Sequence, residues 1–108
     1  VDPISDIKAP TTLPAAGVAA QASINEANLA LTAAANVIAQ NVKDRIWTKA
    51  QAQGYLDKVR TYANQVDRAQ QLVRLGDFAG GKTQAEAVKA LIIVLHREAA
   101  AAARKDAK

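Results

Sequence analysis

Between Thr48 and Leu75 an apolar residue returns at every seventh position: Ala52, Val59, Val66 and Val73. Leu56 and Ala63 fall four residues after the first two, and Tyr55, Tyr62 and Ala69 lie alongside. That spacing gathers these side chains on one face of a helix. Lys58, Arg60, Asp67 and Gln71 fall off the seam and are left to water. Thr48, with Gln51 three residues on, predicts a capping box at the start. Gly76 predicts a left-handed cap at the end. A helix of this length spans roughly 40 Å at 1.5 Å per residue. With one apolar stripe it is not stable alone, so it must lie against other helices along its length.

The flanking sequence supplies two such helices. The first is predicted over about 20–46, with Ile24, Ala27, Leu31, Ala34, Ala35, Ile38, Val42 and Ile46 recurring at steps of three and four. Leu29 and Val37 fall off that stripe and are free for a second contact. Asp44 to Thr48 leaves room only for a tight corner, with Trp47 packed over it, so the first two helices run antiparallel. The third is predicted over about 83–104. A second capping box at Thr83 and Glu86 opens it, and Ala85, Val88, Leu91, Ile92, Leu95, Ala99 and Ala102 form its stripe. After Glu98 it offers only alanine to bury, and its end is expected to fray.

Residues 1–19 hold all three prolines and Gly17 and read as a flexible or extended arm. Ile4, Ile7 and Leu13 are its candidates for docking onto the bundle or onto a partner. The predicted fold is all-α: an antiparallel three-helix bundle over 20–108, preceded by the arm. Alanine accounts for 26 of the 108 residues, which favours slim helices in close contact over a thick core. Val, Ile, Tyr and Phe are too sparse for a sheet.

Several function classes are disfavoured by composition. The absence of cysteine excludes a disulfide scaffold and a Cys-based zinc site. The net charge of +4 permits weak attraction to anionic surfaces. On the central helix, however, Lys58, Arg60, Arg68 and Arg74 point in different directions, where a phosphate-tracking surface would align them. A small basic nucleic-acid-binding protein is therefore the alternative reading, not the preferred one. No apolar run approaches the ~20 residues that span a bilayer. A membrane tether is expected only through a leader ahead of Val1.

Gly76-Asp77-Phe78-Ala79-Gly80-Gly81-Lys82-Thr83 matches the phosphate-binding pattern G-x-x-x-x-G-K-[ST] in full. On that reading Gly76, Gly81, Lys82 and Thr83 would bind a nucleotide. The chemistry needs a strand leading into the loop, and here a helix leads into it. The preferred reading is mechanical: Gly76 ends one helix, Gly80 and Gly81 allow the reversal, and Thr83 caps the next. His96 is the only histidine, and no second His or Cys exists to complete a metal site or triad. Asp57, Asp67, Asp77, Glu86 and Glu98 are scattered among basic residues, with no pair set for acid–base work. The chain is thus expected to be non-enzymatic, with no cofactor and no metal. A protein partner or self-association is the expected mode of action, because the alanine-rich first and third helices let another helix approach closely.

The T-K-A-Q-A cap at Thr48–Ala52, the Val/Asp/Ala-spaced second helix and the Leu-rich third helix resemble a group of small, alanine-rich helical proteins of proteobacteria and their phages. The similarity covers roughly residues 28–96. Many members begin with a lipoprotein or secretion signal followed by a short flexible arm. The resemblance implies a phage- or envelope-related setting, with the periplasm or cell envelope favoured over the cytoplasm. It implies no activity, and no functional residue is carried over.

Overall fold

The computed structural model describes residues 14–106, and among them there are three helices and no strand. α1 spans Ala15–Lys43, α2 Lys49–Arg74 and α3 Phe78–Asp106. Each packs on both others, giving the three-helix bundle. Gln21 near the start of α1 exchanges two amide hydrogen bonds, 3.0 and 2.9 Å, with Gln70 near the end of α2. These helices are therefore antiparallel. Glu26 and Lys89, at like heights on α1 and α3, join the two parallel helices at 2.6 Å.

The predicted seams form the core. Ile24, Ala27, Ala34 and Ile38 of α1 meet Ala52, Val66, Ala69 and Val73 of α2. Ala85, Val88, Ile92, Leu95 and Ala99 of α3 close the interior. The largest apolar side chains that are fully buried are Ile24, Ile38, Ile92, Val66 and Val88. Each contributes about 1.5–3 kcal/mol through burial. The alanines contribute less area but let the helices approach. Leu31, Val42, Tyr55, Val59, Tyr62 and Phe78 are partly buried around this core.

Helix ends are settled locally. Thr48 accepts from the Gln51 N–H at 3.1 Å, and the Gln51 side chain accepts from the Thr48 N–H at 2.8 Å, completing the predicted capping box. At the end of α2, Gly76 has φ +89. Its N–H donates to Val73 O at 3.0 Å, and the Asp77 N–H donates to Leu72 O at 2.8 Å, a Schellman motif. α1 ends the same way without glycine. Arg45 takes the left-handed conformation at φ 63, and the Arg45 and Ile46 N–H groups donate to Val42 O and Asn41 O.

Four expected features are corrected. α1 starts at Ala15, so residues 15–19 are helix and not arm. Pro14 holds a φ of −61°, and its carbonyl accepts the first helical bond from Val18 at 2.9 Å. α1 also stops at Lys43, short of Ile46, because the chain turns left-handed at Arg45. α3 starts at Phe78, not Thr83, because Asp77 supplies the cap ahead of the glycines. α3 also runs through Asp106, past the expected end near residue 104. Buried Ala99 anchors that last stretch against α1. The remainder of the arm, with Ile4, Ile7 and Leu13, lies outside the described residues.

Candidate functional site

The stretch from Gly76 to Thr83 does not form a loop. Leu75, Gly76 and Asp77 make the whole connection between α2 and α3, and the next residues form the first turns of α3. The Gly80 N–H donates to Asp77 Oδ1 at 2.9 Å, and the Gly81 N–H donates to the Asp77 carbonyl at 3.0 Å. Of the amides that would cradle a phosphate, that of Gly80 thus serves a carboxylate, whose charge repels an anion, and that of Gly81 serves a backbone carbonyl. Lys82 extends along its own helix to within 3.9 Å of Glu86, and both are exposed. Thr83 lies inside the helix and caps nothing.

Gly81 is glycine for a packing reason. A Cβ there would sit 2.6 Å from Val73 Cγ2 and 2.9 Å from the Ala69 carbonyl oxygen. α3 therefore crosses α2 at a separation only a glycine permits. At Gly80 a Cβ would fall on the Asp77 carboxylate and displace the cap.

The corner between α1 and α2 carries two of the four aromatic residues. Trp47 stacks on Tyr55 with ring centroids 4.3 Å apart and 11° between planes. Lys58 Nζ stands 5.6 Å from the centre of the Tyr55 ring, one helical turn on. Trp47 and Tyr55 are half-buried against the core, which makes them a plug for the corner.

Two shallow grooves run along the bundle. The first, of about 180 Å³, lies between α1 and α3 and is lined by Ala30, Ala33, Ile93, His96 and Arg97. His96 is half-buried there, and no cluster of metal-binding side chains exists among the described residues. The second, of about 110 Å³, lies between α2 and α3, where Lys58 and Tyr62 face Leu91, Val94, Leu95 and Glu98. Leu91 was expected in the core stripe, yet it is 46% exposed, and Val94 is 51% exposed. Their direction explains it: α3 buries the face of Val88, Ile92, Leu95 and Ala99, and Leu91 and Val94 lie on its flank. Leu56 is displaced from the α2 seam in the same way, at 38% exposure.

One residue of consequence escaped the sequence reading. Asn41 is buried and its side chain bonds α1 to α3. The available signal was its place seven residues after Ala34, in the α1 seam.

No protein-family model, curated protein or solved structure matches this chain.

Proposed function

We propose that this protein is a non-enzymatic helical interaction module that holds a protein partner on its α2/α3 face. The observation that carries the reading is the row formed by half-buried Tyr62 with exposed Leu91 and Val94, flanked by Lys58 and Glu98. Apolar groups rimmed by opposite charges are the chemistry of a protein contact. Both grooves are shallow and mostly apolar, and neither collects the convergent polar groups that orient a small substrate. A phage or cell-envelope setting is part of the proposal, and its support is the resemblance of the Thr48–Ala52 cap and the second and third helices to small alanine-rich helical proteins of proteobacteria and their phages.

The test is a doubly charged variant, Leu91→Glu with Val94→Lys, expressed with a tag in the producing cell. Wild-type protein is expected to co-purify with one partner in fixed ratio. The variant is expected to melt at the same temperature and to come alone. A variant that keeps the partner contradicts the reading. So does a substrate whose turnover is lost on a point substitution that leaves the fold intact.

A further inference from the structure

α1 carries only two charged residues in 29, Glu26 and Lys43, where α2 carries seven in 26 and α3 eight in 29. Glu26 is turned toward α3 and holds Lys89 at 2.6 Å, and Lys43 stands in the last turn. The outer face of α1 therefore runs uncharged from Val18 to Gln40, about 33 Å at 1.5 Å per residue. Helices that face water keep charged groups on their outer side, as α2 and α3 do.

Leu29 sits at the middle of this face. It is nine residues, about two and a half turns, from both Ala20 and Ile38, which are fully buried, so it points directly away from the core. It is 72% exposed, and Val18 on the same face is 55% exposed. Leu29 is also the midpoint of Ala15–Lys43. Around it the exposed residues come in matched steps: Asn25 and Ala33 at four, Ala22 and Asn36 at seven, Val18 and Gln40 at eleven. A second copy of the helix, turned about a two-fold axis through Leu29, runs antiparallel and sets Leu29 on Leu29. Each asparagine then meets an alanine, whose small side chain leaves room for the amide. A parallel copy would set asparagine on asparagine, alanine on alanine and Glu26 on Glu26.

Charge selects the occupant. The chain's net charge is +4, so two copies repel wherever cations meet cations. On the α1 face they meet with the exposed cations of α2 and α3 held outward on both sides. That face offers no attraction to a charged partner and no like-charge cost to its own copy. We propose that the protein forms an antiparallel two-fold dimer through the outer face of α1, with Leu29 packed on Leu29 of the second copy. The two α2/α3 faces then point away from the dimer axis, so this inference stands apart from the partner assigned to them.

The chain has no cysteine, so single cysteines report which positions meet. Full-length Leu29→Cys is expected to oxidise to a disulfide-linked dimer. A mixture of Ala22→Cys with Asn36→Cys is expected to give the mixed dimer in excess over either self-linked one. Gln71→Cys, exposed on α2, is the reference for random collision. Sedimentation of cysteine-free protein gives the second reading. At about 100 μM wild type is expected to be a dimer, and Leu29→Asp a monomer of unchanged helix content by circular dichroism. Leu91→Glu with Val94→Lys is expected to stay a dimer. A monomeric wild type, a dimeric Leu29→Asp, or Leu29→Cys linking no faster than Gln71→Cys overturns the proposal. So does Ala22→Cys linking to itself in preference to Asn36→Cys, the mark of a parallel pair. Loss of the dimer in the Leu91 and Val94 variant overturns it too, by putting the contact on α2/α3.

Discussion

The side-chain amide of Asn41 donates a 2.9 Å hydrogen bond to the backbone carbonyl of Ala99, joining the parallel helices α1 and α3 inside the core. The same residue's carbonyl accepts from the Ile46 and Trp47 N–H groups at the corner into α2. Asn41 therefore ties the end of one helix to the height of another. Asn41→Ala removes the bond and leaves a gap, and should destabilise the bundle by about 1–3 kcal/mol in urea unfolding. Asn41→Leu fills the volume and should recover most of that loss. Equal stability of Asn41→Ala and wild type would remove the residue from this role.

Glycine substitutions should split by position. Gly81→Ala gains helix propensity of roughly 1 kcal/mol but forces a methyl group onto Val73 and the Ala69 backbone. Val73 is stiff and the carbonyl cannot move alone, so overpacking of about 1–3 kcal/mol should win and lower the melting temperature. Gly54 lies on exposed α2 with nothing within 4 Å of its Cβ position. Gly54→Ala should stabilise by about 0.5–1 kcal/mol. Calorimetry on the two variants should show shifts of opposite sign.

Arg45 occupies a left-handed position at φ 63. For a residue with a Cβ that conformation is strained, and glycine relieves the strain while loosening the unfolded chain. We expect Arg45→Gly to stabilise by up to about 1 kcal/mol in thermal unfolding, as at other left-handed helix ends. A loss of stability would mean that the Arg45 side chain holds the corner by a contact of its own.

The start of α3 gives a prediction that separates structure from sequence pattern. Asp77→Ala removes the cap on Gly80 and should cost about 0.5–2 kcal/mol. Thr83→Ala touches only an exposed mid-helix hydroxyl and should change the urea midpoint little. The reverse order would place the helix start at Thr83 after all.

How far the sequence could be read follows from these cases. The α2 seam, the Thr48–Gln51 box and Gly76 were legible because each is fixed by residues a few positions apart. The start of α3 was not. Two adjacent glycines look like a break, and the Thr83–Glu86 pair looks like a cap. Asp77 is the cap that starts the helix, and the glycines are there for packing, because Gly81 lies under Val73 and Ala69. The start of α1 was hidden likewise by Gly17, which is buried within the helix. Leu91 looked like core because helical period assigns a direction, while exposure depends on how wide an arc the two neighbouring helices cover. The grooves are products of that packing, and no local pattern announces them.

The central claim is that the apolar row on the α2/α3 face serves another protein. The most direct measurement is photo-crosslinking in the producing cell from a probe amino acid at position 94, with a second probe at exposed Gln71 as reference. The account predicts one discrete protein adduct from position 94 and none of that size from position 71. No adduct from 94, or the same adduct from both positions, would contradict it.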